Sequence, residues 1–216
     1  MLISADLPIN RNKFAQQDQI LTITGATWAD YQQFDSQENT GYRVAYFKGE
    51  ITIVSPGRNH ERIAAVINRL IIAYCEKYNI RDFPFGQTRL NVWGQAGREA
   101  AEARADARRK GMSAKTPDLA YAFDIDKDLP DLAVEVIFTS GDVETLKASY
   151  QRIGISELWI WQDNKITFYC LEADKYTVVK FSKMFNRLES SSFVEYINRG
   201  IIESPAVIKQ DFLKVI

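Results

Sequence analysis

The strongest constraint on this 216-residue chain is a pair of apolar runs that each carry one carboxylate. They lie in residues 117–161, which read PDLAYAF, an acidic turn, DLAVEVIF, a polar segment of helical character and ELWIW. Asp118 stands at the mouth of the first run and Glu135 in the middle of the second, between Ala-Val and Val-Ile. An ionised carboxylate in a buried strand is costly unless a cation or a hydrogen-bond donor meets it. Glu135 therefore needs a compensating partner. A divalent metal shared with Asp118 is the simplest expectation, because a hard cation such as Mg²⁺ prefers oxygen ligands. The alternatives are a structural ion pair for Glu135 and a plain strand-entry role for Asp118 after Pro117.

Periodicity places these residues. Residues 119–123 and 131–138 read as strands joined by the acidic turn 124–128, short enough for an antiparallel hairpin. Along the second strand Leu132, Val134, Val136 and Phe138 share one face, and Asp131, Ala133, Glu135 and Ile137 the other. Residues 142–153 read as a helix ending at Gly154, and 157–162 as the next strand, so 131–162 is a β-α-β unit with a right-handed crossover. Residues 165–171 and 175–181 add an outer meander. Upstream, Thr27 opens a short helix, and Lys48-Gly49 turns a hairpin between 42–47 and 51–54. Asn59 is the expected cap of a helix whose apolar face includes Ile63, Ile67, Leu70 and Tyr74. A strand is expected at 87–93, and the Ala-, Gly- and charge-rich stretch 94–113 reads as an exposed loop or an inserted helix. A short helix at 193–198 and a tail containing Pro205 complete the chain. The expectation is an α/β fold with a mixed sheet flanked by helices: an arm at 1–24, one domain at 25–200 and a tail at 201–216.

Composition bounds the partners. A formal net charge of -1 supplies no global field for nucleic acid, so such a partner needs a local patch. Arg104, Arg108, Arg109 and Lys110, with Lys115 beyond, are candidates for a phosphate backbone. Glu99, Glu102 and Asp106 are interleaved with them, and a salt-bridged solvated helix is the equal alternative. Cys75 and Cys170 lie in apolar runs without metal-like spacing, which suits buried reduced thiols. The N-terminus lacks a signal-like apolar region and no run approaches the ~20 apolar residues of a membrane span, so a cytoplasmic protein is expected. His60 is the sole histidine, which disfavours His-rich zinc sites and Ser-His-Asp hydrolysis and leaves it a capping or loop role. Glu61 gains from the helix dipole and is also a candidate further carboxylate for the metal. Lys147 either stabilises developing negative charge at the site or is a solvated helix lysine. Gln87 and Arg89 either line the same cleft or face solvent. No glycine-rich phosphate loop with a Gly-Lys-Ser/Thr ending is present, which disfavours a small-molecule phosphohydrolase.

Pro117-Asp118-Leu119, Leu132-Ala133-Val134-Glu135-Val136-Ile137, Thr139-Ser140-Gly141, and Tyr150 followed by Gly154-Ile155-Ser156-Glu157-Leu158-Trp159 resemble the Uma family of restriction endonucleases, a branch of the PD-(D/E)XK nuclease superfamily. The hairpin ending at Ser55-Pro56, with His60 just after it, matches the first half of that family, and the resemblance spans residues 25–200. It implies a restriction-endonuclease-like core and a phosphodiesterase activity on DNA that depends on Mg²⁺, with Mn²⁺ as the alternative ion. It also implies a homodimer, so that both strands are cut. In that scheme Asp118 and Glu135 are the metal carboxylates and Glu61 is the acidic residue of the first helix, with Lys147 the candidate to assist the water or the phosphate. Two departures stand out. Ile137 occupies the place two residues after Glu135 where the superfamily has lysine. The Uma pattern instead sets a lysine four residues before the tyrosine matching Tyr150, and Leu146 stands there. Lys147 is one residue on, turned by about 100° around a helix. A catalytically silent nucleic-acid-binding or protein-interaction domain that keeps the fold is the competing expectation.

Overall fold

A computed structural model describes residues 17–36, 42–86, 88–91, 111–138, 142–185 and 188–216. Alternating β-branched and aromatic residues build a first, antiparallel sheet. Its strands are β1 (Gln19–Thr24), β2 (Arg43–Phe47) and β3 (Glu50–Ser55), then β6 (Ser113–Lys115) beside β2 and β5 (Leu90–Asn91) at the far edge. The β2–β3 turn uses Lys48 and Gly49 at φ 47° and 83°, the left-handed pair that a two-residue hairpin loop needs. Val44, Tyr46, Ile51 and Ile53 face one way and pack on Tyr31 and Phe34 of α1 (Trp28–Ser36). The opposite face, including Ala45, Thr52 and Val54, walls a cavity.

The second sheet has the order β11 (Lys175–Val179), β10 (Lys165–Glu172), β9 (Glu157–Gln162), β8 (Leu132–Ile137), β7 (Leu119–Phe123), β4 (Asp82–Pro84). β7 and β8 form the expected antiparallel hairpin. β9 runs parallel to β8 after the helix α3 (Val143–Ile153). Asp142 caps α3 by accepting from the Glu144 N–H at 3.0 Å, and Gly154 closes it at φ 94°. β10 and β11 extend the sheet, and β4 adds an edge on β7. The faces of β8 divide as its alternation requires. Leu132, Val134 and Val136 join Trp159 and Trp161 beneath α2 (Arg58–Tyr78), α4 (Ser190–Arg199) and α5 (Pro205–Val215). Ala133 packs with Tyr150 and Ile153 of α3. Glu135 therefore lies on the α3 side. Cys75 and Cys170 are buried free thiols.

The fold is α/β with a mixed sheet flanked by helices, and four features correct the expectations. Residues 19–24 are not an unspecified arm but β1, whose Leu21 and Ile23 pack inward while the exposed apolar Ile20 on the other face breaks the alternation. The cap of α2 is Gly57 rather than Asn59; its backbone is extended, and its N–H donates to Asp18 Oδ1 at 2.7 Å, so a carboxylate from beyond the helix does the capping. Ser113–Lys115 is a strand that begins at the last residue of the stretch expected as loop or helix. The tail is α5, opened by Pro205 in its first turn and buried through Ile208 and Phe212. Of the strand expected at 87–93, Leu90–Asn91 forms β5; Gln87, residues 92–110 and residues 139–141 lie outside the described residues. Among the described residues no helix is long and apolar enough to cross a membrane.

The two sheets meet where β6 ends at Lys115 and the chain passes through Thr116 and Pro117 to Asp118 and β7. Buried hydroxyls of Ser113 and Ser149, 2.7 Å apart, tie β6 to α3. On the far side, Gly200 follows α4 where it crosses α2, and a Cβ there would sit 2.3 Å from Val66 Cγ2. Gly200→Ala is expected to destabilise the protein by about 1–3 kcal/mol through overpacking, measured by urea unfolding. An unchanged midpoint would refute that close approach.

Candidate active site

The junction of the sheets encloses a cavity of about 380 Å³. Asp118 and Glu135 line it although they are only 5% and 6% exposed. Their convergence follows from register: Leu119 pairs with Val134, so the next step of the ladder sets Asp118 opposite Glu135. The two expected carboxylates are thus brought together.

Asp118 is held on every side. Its Oδ2 accepts from the Val136 N–H at 2.6 Å. Its Oδ1 meets His60 Nε2 at 2.8 Å and also accepts from Arg43 Nη1. His60, at the start of α2, is buried rather than a loop residue, and its Nδ1 lies 2.8 Å from Asp18 Oδ2. Two carboxylates thus clamp one imidazole, and Asp18 uses its other oxygen to cap α2. Burial alone opposes the imidazolium, but hydrogen bonds to Asp118 and Asp18 and their charges outweigh it, and the His60 pKa is raised to about 9. Arg43 Nη1 lies 2.5 Å from His60 Nε2. Two cations crowd one oxygen, yet two carboxylates against one guanidinium still favour the charged ring. Burial would raise the Asp118 pKa; the His60 hydrogen bond and charge, Arg43 and the Val136 N–H instead hold it below the usual range.

Glu135 is in the opposite state. Burial pushes its pKa up and the Asp118 charge adds to this, against the attraction of Lys115. The Tyr150 hydroxyl of α3 donates to Glu135 Oε1, and Lys115 Nζ stands 3.7 Å from the same oxygen. Burial and the Glu135 charge hold the Tyr150 hydroxyl well above its ordinary pKa, so it stays a donor.

The other candidates fall elsewhere. Lys147, expected to be catalytic, does not line the cavity; its Nζ donates to Glu144 at 2.7 Å and lies 5.0 Å from the Tyr169 ring centroid. The cavity wall on α3 is made by Thr145, Leu146 and Ser149, so helical phase turns Lys147 away. Glu61 is exposed and touches the site only through Arg43 Nη2, at 3.0 Å. Arg89 is exposed and outside the cavity wall. Gln87 and the basic cluster Arg104, Arg108, Arg109 and Lys110 lie outside the described residues. Among the described residues no group of three His, Cys, Asp or Glu side chains is placed to hold a metal. Sequence reasoning missed Asp18 and Arg43 as site residues, and offered Lys115 only as a phosphate-backbone contact beside the basic cluster. Arg43 opens β2 and Lys115 closes β6, and both border the Asp118 motif only in space, which no spacing discloses.

A family model described as Uma2, putative restriction endonuclease, matches residues 28–199. No curated protein matches the chain.

The His60 clamp has a definite pH signature. Its folded pKa of about 9 exceeds the ordinary 6.5, so its contribution to stability is complete below the unfolded pKa and is lost as pH rises through the folded one. The contribution is on the order of 3 kcal/mol. In urea unfolding at pH 6 and pH 9.5, His60→Gln is expected to lose this part of the pH dependence. Identical pH dependence in wild type and variant would show that folding does not shift the pKa of the ring.

Proposed function

The chain belongs to the Uma2 family of putative restriction endonucleases, and from that premise we propose that it hydrolyses phosphodiester bonds in DNA with Mg²⁺, or Mn²⁺ in its place, held between Asp118 and Glu135. The supporting observation is the unequal state of two buried carboxylates on one cavity, with Glu135 pushed toward protonation. That is the behaviour of a pair short of positive charge, and a divalent cation supplies the deficit. The donor set fits Mg²⁺, which is commonly held by one or two carboxylates and completes its shell with waters and substrate phosphate. Bound there, the ion would activate water and neutralise charge on the phosphate.

The protein's own groups prepare the site. His60 and Arg43 keep Asp118 ionised, and the Val136 N–H fixes its orientation. Tyr150 anchors Glu135 through Oε1, leaving Oε2 without a hydrogen bond among the described residues. Glu61 acts at one remove, by holding Arg43. Cutting both strands of a duplex calls for two such sites, and we take the acting form to be a homodimer.

One observation favours a second reading, a silent nucleic-acid-binding or protein-interaction domain: both oxygens of Asp118 already have partners within the chain. Cleavage of supercoiled plasmid in Mg²⁺ or Mn²⁺ separates the two. Wild type is expected to nick and linearise DNA, and Glu135→Gln to lower the rate at least about 100-fold with the fold intact by circular dichroism. Calorimetry is expected to show one cation site per chain in wild type and none in the variant. DNA binding without cation binding or cleavage would establish the silent domain instead.

A further inference from the structure

A phosphodiester cleavage site needs a positive donor beside its carboxylates, because negative charge grows on the phosphate oxygens as the attacking water adds. We propose that Lys115 is this catalytic group, contacting a non-bridging oxygen of the scissile phosphate; the assignment rests on the nuclease reading above.

Lys115 is the one lysine among the described residues that line the cavity. Its Nζ is 3.7 Å from Glu135 Oε1 and its side chain is 19% exposed. At that distance the ammonium feels the carboxylate's charge without making a hydrogen bond to it, and its protons remain available to a ligand. The backbone aims it. In β6, Ala114 packs into the cluster beneath α1, while Ser113 and Lys115 point to the other face. Ser113 Oγ donates to the Ser149 carbonyl at 3.2 Å and lies 2.7 Å from its hydroxyl, so the strand is pinned against α3 one step from Lys115. The place two residues after Glu135 contributes only the apolar Ile137 to the cavity. Lys147 is committed to Glu144 and the Tyr169 face. The charge absent from both helix and β8 therefore arrives from β6.

The chemistry balances without consuming the lysine. Water oxygen bonds to phosphorus, the bond to the leaving sugar oxygen breaks, the water proton passes to solvent, and the leaving oxygen takes a proton from solvent. Throughout, the ammonium keeps its own protons and donates hydrogen bonds to the phosphate.

Single-turnover plasmid cleavage at saturating protein tests this with wild type, Lys115→Ala, Lys115→Arg, Lys147→Ala and Glu135→Ala in parallel, with Mg²⁺ titrations and thermal melts of each. Lys115→Ala is expected to slow cleavage at least about 100-fold while retaining Mg²⁺ affinity and melting temperature. Lys115→Arg is expected to recover part of the rate, and Lys147→Ala to stay within about twofold of wild type. A merely structural lysine would move the melting temperature rather than the rate. Equal cleavage by wild type and Lys115→Ala, or loss of cleavage in Lys147→Ala, overturns the assignment while leaving the nuclease reading standing. A wild type that cuts no DNA overturns both.

Discussion

Burial of Asp118 and Glu135 opposite each other is the constraint on which the surrounding structure depends. Each would cost several kcal/mol if left uncompensated, and the compensation is gathered from across the fold. Arg43 comes from β2, His60 from α2, Lys115 from β6 and Tyr150 from α3. The site thus fastens two sheets and two helices at one point, and the junction between sheets is polar while its surroundings are apolar. Asp18 lengthens the chain of contacts by holding both His60 and the N–H of Gly57, the cap of α2. The N-terminal strand is in this way coupled to the carboxylate pair.

The compensation is lopsided, and the asymmetry has a chemical meaning. Asp118 receives the imidazole, the guanidinium and a backbone N–H and stays ionised; Glu135 receives a neutral phenol and a more distant ammonium and is pushed toward its acid form. Two carboxylates in one site whose environments drive their pKa values apart are suited to different tasks. A cation between them would oppose the burial that raises the Glu135 pKa and so favour its ionised form.

Sequence periodicity was informative wherever the controlling interactions are local. The alternation along β8 assigned Glu135 to the face opposite Leu132 and Val134, and Asp142 and Gly154 marked both ends of α3. The convergence of Asp118 with Glu135 was legible because a short hairpin fixes the register between them. What was hidden is long-range. Asp18 and Gly57 are 39 residues apart, and Arg43 and Asp118 are 75 apart; no spacing rule connects them. Asn59 offered a plausible cap by type, yet a tertiary carboxylate took that role. His60 was marked in the sequence only by its place after Ser55-Pro56, and only the fold reveals the two acids around it.

The position of the lysine is decided by α3 as a rigid body. Turning Lys147 into the cavity requires rotation of the helix by about 100°, which would withdraw Tyr150 from Glu135 and Ser149 from Ser113. Each break leaves a buried polar group unsatisfied, at roughly 1–3 kcal/mol apiece, and carries the apolar Leu146 out of the wall it now forms. A strand residue needs no such rearrangement. Lys115 lies one alternation step from Ser113, and the contact that keeps α3 from turning is the same one that sets the height of β6 against the carboxylates. The bonds that exclude one lysine from the site thereby position the other.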